Sequence, residues 1–135
     1  MSEHEAVLFA NESFYQAFAD GDMDAMDALW SSRSTVSCIH PGWNPLLERD
    51  AAMESWRAIL SGAGAPKIRC RNAVAHIYGD SAVVVCFEQI DDGFLVASNA
   101  FVREDRSWRM VHHQAGPAAA APSVESDDDP SPLMN

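Results

Sequence analysis

Between Ile68 and Ala115 the chain is written as four runs rich in Val and Ala, about Ile68 to Tyr78, Ser81 to Asp91, Phe94 to Arg103 and Ser107 to Ala115. They are broken at Gly79-Asp80, Asp92-Gly93 and Asp105-Arg106. Short breaks of turn-forming residues between runs of this length mark hairpins, so the segment predicts a four-strand antiparallel meander. Upstream the period is helical. Ser2-x-x-Glu5 has capping-box spacing, and Ala6, Phe9, Ala10, Phe14, Ala17 and Phe18 recur at three and four residues up to Gly21. Asp22 is placed to cap a shorter helix carrying Met23, Met26 and Trp30; Asp50 is placed to start a third, with Ala52, Trp56, Ile59 and Leu60 on one face and an end at Ser61-Gly62. Thr35 to Ile39 reads as a short strand that stops at Pro41-Gly42. The whole predicts an α+β fold with three N-terminal helices against one face of a mainly antiparallel sheet.

With 135 residues the chain fits one domain, expected over 1–117, and the Ala- and Pro-rich, then acidic, stretch 118–135 has too little apolar content to repay its ordering entropy, so a flexible tail is expected. The formal charge of −11 argues against nucleic acid as a partner, because phosphate binding needs clustered Lys and Arg. Residues 1–32 hold seven acids and no Lys or Arg, which reads as solvated helix faces. No apolar run is long enough to span a membrane, and the acidic start lacks the basic run of a secretory signal; a cytoplasmic protein is expected. Cys38, Cys70 and Cys86 form no CxxC pair and read as reduced thiols.

If each break is a two-residue turn, the strand registers follow, and one face holds four rows. These are Arg71, Glu88, Ala97 and Gln114; Ala73, Cys86, Asn99 and His112; Ala75, Val84, Phe101 and Met110; and Ile77, Ala82, Arg103 and Trp108. Small side chains beside Asn99, His112 and Glu88 leave room for a concave ligand site with convergent polar groups. The opposite face, with Val74, Val83, Val85, Phe87, Val96 and Val111, is also apolar. A sheet with two apolar faces and helices for one needs a second cover, so a homodimer through that face is expected.

His40-Pro41-Gly42-Trp43, Asp50 with Ser55-Trp56-Arg57, Asn99-Ala100-Phe101 and Trp108 to Gln114, in this order, resemble a SnoaL-like member of the nuclear transport factor 2 superfamily. The similarity covers about Glu5 to Pro117. Relatives include ketosteroid isomerase, scytalone dehydratase, polyketide cyclases and the association domain of calcium/calmodulin-dependent protein kinase. The resemblance implies a cone of three helices in a strongly curved sheet, a pocket in the cone and frequent dimerisation through the sheet. It does not imply one function. Where many relatives end His-His-His-Ala-Ser, this chain has His112-His113-Gln114-Ala115-Gly116, and an amide replaces a third imidazole that could carry a proton.

His112 is the sequence's candidate for proton transfer, with Asn99 to orient it or a ligand carbonyl; the alternative is a core histidine satisfied by that amide. Alternation puts His113 on the other face. Glu88 is a candidate base whose alternative is a cross-strand ion pair with Arg71. His40 lines a pocket mouth or bonds its own turn, and Trp30, Trp43 and Trp56 are core or the walls of a ligand site. Tyr15 reaches a pocket with its hydroxyl or lies at the surface, and Gln114 is a candidate to position a ligand oxygen. No metal site is expected, since His76 falls on the face opposite Glu88 and His112. The expected function is a small-molecule pocket protein, as a cofactor-independent isomerase or dehydratase on a small apolar metabolite. The alternatives are a non-catalytic association module of the same fold and a stress or defence protein of unknown ligand.

Overall fold

A computed structural model describes residues 1–62 and 67–123. The capping box at Ser2 and Glu5 is formed, and α1 runs Glu3–Asp20. Its buried stripe is Val7, Ala10, Asn11, Phe14, Tyr15, Ala17 and Phe18, while Phe9 faces out, 64% exposed. Gly21 ends the helix at φ 62, a left-handed seat that suits glycine, and the carbonyl of Leu60 lies 3.4 Å from where a Cβ would stand. Asp22 caps α2 (Met23–Leu29) by accepting from Ala25 N–H. After the short β1 (Ser37–Ile39), α3 spans Arg49–Ser61; Asp50 sits in its first turn, and Glu48 holds the N-cap position.

The meander follows as β2 (Arg69–Tyr78), β3 (Ser81–Ile90), β4 (Gly93–Glu104) and β5 (Ser107–Pro117). The sheet order is β1-β5-β4-β3-β2, with β1 parallel to β5. All three helices pack on one face of this curved sheet, α1 against β2, β3 and β5. The core between the layers is built on Phe14, Trp30, Trp56, Phe101, Met26 and Met110. No described helix is long and apolar enough to cross a membrane. The expected tail lies mostly outside the described residues.

Three irregularities separate the observed registers from ideal hairpins. The second turn is Asp91-Asp92, with Asp91 at φ 53, so Ile90 pairs with Gly93 and β4 slides two residues along β3. A slide of two keeps the faces but changes the partners: Cys86 meets Ala97, and Asn99 meets Val84. In β2 the register shifts between Arg71 and Val74 around Asn72 at φ 58, a bulge that turns Cys70 inward opposite Glu88. In β5 one extra residue, Val111, separates the pairs Phe101↔Met110 and Ala100↔His112. From there on the alternation inverts: Trp108 and Met110 point inward, then His113 and Ala115.

Gly21→Ala is predicted to lower unfolding free energy by about 1–2 kcal/mol, because a side chain must be forced into the left-handed region at the α1 end. Urea denaturation of the two proteins checks this.

Candidate functional site

Five elements, α1 and β2 to β5, converge on one buried hydrogen-bonded chain. Asn99, fully buried on β4, donates its amide to Asn11 Oδ1 at 2.8 Å and to the Tyr15 hydroxyl at 3.1 Å, both on α1. Its Oδ1 meets His113 Nδ1 at 2.6 Å. An amide oxygen can only accept, so His113 carries its proton on Nδ1 and holds a lone pair on Nε2. Tyr15 donates to Glu88 Oε2 at 2.7 Å. With that proton committed, the Cys86 thiol, 3.3 Å away, is the donor to the Tyr15 oxygen. Asn11 completes the set with a donor contact to Cys70 Sγ at 3.5 Å.

The chain ends on a cavity of about 260 Å³, to which Glu88 and His113 supply carboxyl and imidazole. Phe18, Trp43, Trp56, Ile59, Ile68, Ile90 and Leu95 form its apolar walls, with Pro41 and His40 at one side. His40 Nε2 bonds Ser55 Oγ at 2.9 Å, and that hydroxyl donates onward to the Ala52 carbonyl, so His40 is the donor. Its ring stands edge-on between Trp43 and Trp56, 4.7 Å from each. Trp56 is itself packed edge-on against Phe14 and Phe18. Trp43 is 49% exposed and forms the rim, on the turn that Gly42 closes at φ 82.

Burial sets the charge of this site. His40 is lowered to about 4 and His113 to about 3, in each case chiefly because burial disfavours the imidazolium, with the neighbouring rings of His40 and His112 adding to the effect on His113. Burial pushes the Glu88 carboxyl up, against the opposing effect of the Tyr15 hydrogen bond. Tyr15 is pushed far up by burial and by the adjacent Glu88, and keeps its proton. The cavity wall therefore tends toward neutrality at both kinds of titratable group.

Glu88, His40, Trp43 and Trp56 are brought together as cavity residues. Tyr15 and Asn99 stand behind them and hold Glu88 and His113 in place. His112 is not in the cavity: it is half-buried on the outer side of β5, its Nδ1 2.6 Å from Ser37 Oγ on β1. Gln114 is exposed on the same side. Both displacements follow from the extra residue in β5, which exchanges His112 for His113. Arg71 donates to Gln89 at 2.7 Å, and the β2 bulge sets Cys70, not Arg71, opposite Glu88. Trp30 lies apart, buried at the end of α2 beside Met110, against a polar cleft with Arg33, Arg49 and Arg109. Sequence reasoning missed His113 and Asn11. A polar residue within the apolar stripe of α1 was the available signal for Asn11, whereas nothing in the sequence marks the bulge.

Two opposed pH dependences are predicted. Below about pH 6.5 the unfolded chain takes up protons that folded His40 and His113 refuse, so stability falls as pH drops toward their folded values near 4 and 3. Glu88 acts with the other sign: its raised folded value favours the protonated fold, a contribution present below about 4.5 and lost as pH rises through the folded value. Urea midpoints should therefore show His113→Phe flattening the acid loss, and Glu88→Gln gaining on the natural chain as pH increases.

The sequence profile of the SnoaL-like domain family matches residues 7–120. A Streptomyces avermitilis protein of the NTF2-like family, named as a candidate dehydratase, superposes with a TM-score of 0.79 at 28% identity, covering 87% of this chain and 97% of that one. A Thiobacillus denitrificans structure, named as a candidate calcium/calmodulin-dependent protein kinase type II association domain, is 34% identical over 81% of this chain and 92% of its own, with a TM-score of 0.68. Among curated proteins, the F-box protein SKIP8 of Arabidopsis thaliana is 24% identical over 112 residues, 82% of this chain. The chain spans about half of that relative's length, 48%. With the profile covering nearly all of the cone, the chain belongs to the SnoaL-like domain family of the NTF2-like superfamily.

Proposed function

We propose that this is a small-molecule pocket protein in which Glu88 moves a proton on a small, largely apolar metabolite, in a cofactor-independent isomerase or dehydratase reaction. The observation that carries the reading is Glu88 itself: a carboxyl 2% exposed, lining an apolar cavity, held through one oxygen by Tyr15 and facing no Lys or Arg among the described lining residues. An ion pair does not account for it. Raised by burial, such a carboxyl is a stronger base than an exposed one and, once it has taken a proton, can return it to the ligand. His113 stays neutral and serves as a fixed acceptor for a ligand hydroxyl. Asn99 fixes its tautomer, as an orienting partner does for a catalytic imidazole. The likeness to the Streptomyces protein supports the dehydratase form.

The test needs no prior substrate. A nuclear magnetic resonance screen of uncharged, apolar small molecules should shift the Trp43 and Trp56 indoles together with the methyls of Ile59, Ile90 and Leu95. No shift at these positions across the screen contradicts the pocket reading. On a substrate so found, Glu88→Gln should lower kcat by about 10²–10⁴-fold with little change in binding.

A second reading, association of copies through the sheet, is favoured by its outer face. Val74, Val85 and Val96 are 53%, 44% and 39% exposed there, beside partly covered Phe87 and Val111. Contiguous apolar surface of this kind marks an interface. The Thiobacillus relative points the same way. Light scattering at micromolar concentration should give twice the chain mass, and Val85→Lys should halve it; a monomeric natural chain removes the interface.

A further inference from the structure

The walls of the cavity also specify the charge and polarity of its occupant. None of the described lining residues is Lys or Arg, so an anionic group would be buried with no counter-charge, at a penalty of several kcal/mol. Three polar side chains line the space, and each is tied on its far side. His40 has its N–H on Ser55 and its ring between two indoles. Glu88 receives Tyr15 on Oε2, which leaves Oε1 without a partner among the described residues. His113 gives its N–H to Asn99, which leaves the Nε2 lone pair likewise. A ligand over this pair therefore meets an acceptor that becomes a donor only by exchanging tautomer, which breaks the bond to Asn99, or by protonation, which burial opposes. Beside it stands a carboxyl that donates when protonated.

We propose that the cavity selects an uncharged hydroxy-carbonyl compound on a small ring, its hydroxyl donating to His113 Nε2 and its carbonyl oxygen accepting from the Glu88 carboxyl. The proposal rests on the pocket reading given above. At about 260 Å³ the cavity is smaller than the pockets that take drug-sized ligands, on the scale of a single substituted ring. Trp43 and Trp56 offer that ring an aromatic rim and wall. A cationic amine is the competing occupant, since ionised Glu88 between indoles would attract it. Burial of Glu88 in a space with no Lys or Arg among the described lining residues favours the neutral ligand instead, and pushes its carboxyl up.

Calorimetric titration of the full chain at neutral pH distinguishes these with compounds on one skeleton: 3- and 4-hydroxyacetophenone, 4-methylacetophenone, 4-acetylbenzoate and 4-(aminomethyl)acetophenone. One of the hydroxy isomers should bind at least about fivefold more tightly than the methyl compound, the worth of one added hydrogen bond. Both charged compounds should bind at least about tenfold more weakly than that isomer. His113→Phe should erase the advantage of hydroxyl over methyl, and Glu88→Gln, which keeps a donor and cannot ionise, should keep it. Tighter binding of the benzoate or the amine overturns the selection for neutral ligands. Equal binding of the hydroxy and methyl compounds overturns the pairing with His113 while leaving the pocket reading intact. Failure of all of them to bind at millimolar concentration overturns both.

Discussion

The amide of Asn99 is the point on which the site depends. It is a fully buried polar group with two directions to satisfy, and both are used: two donor contacts into α1 and one acceptor contact from His113. These bonds seat the helix on the sheet and fix the His113 tautomer. They also bring Tyr15 to the carboxyl of Glu88. In a low-dielectric interior such a chain is strong when complete and costly when broken, so each member constrains the others. Asn99→Leu would leave a buried phenol, amide and imidazole each short of a partner.

What this network supports is a cavity that resists charge. Two imidazoles and one carboxyl line it, a set that in water would be mostly ionised at the carboxyl and divided at the imidazoles. Burial pushes all three toward their uncharged forms. Folding a polar set into an apolar hollow costs stability that a hydrocarbon core would not. Natural proteins retain such arrangements where activity needs them. The edge-on packing of Trp56 against Phe14, Phe18 and His40 supplies the rigid wall that keeps the hollow open beside this set.

Much of the architecture was legible because it is written in periodicity and turn chemistry. The helix ends at Ser2, Gly21 and Asp22, the strand runs and the first and third turns all stand where spacing puts them. Glu88, Asn99 and the inward faces of β3 and β4 followed from alternation. The β5 end did not, because a single-residue bulge at Val111 leaves no mark in composition and yet reverses every side chain beyond it. That reversal moved the imidazole from His112 to His113 and removed Gln114. Asn72 shows the same limit: an asparagine tolerates the left-handed conformation of a bulge, but many asparagines never adopt it. Trp30 was misplaced for another reason, since periodicity finds which face of a helix is buried and cannot say which part of the core lies beneath it.

Long-range ¹H–¹⁵N correlation of the His113 ring as pH is lowered from 8 to about 4 tests the centre of this description most directly. A neutral ring protonated on Nδ1 throughout that range is the predicted result. A ring that titrates near 6.5, or that carries its proton on Nε2 at neutral pH, contradicts it.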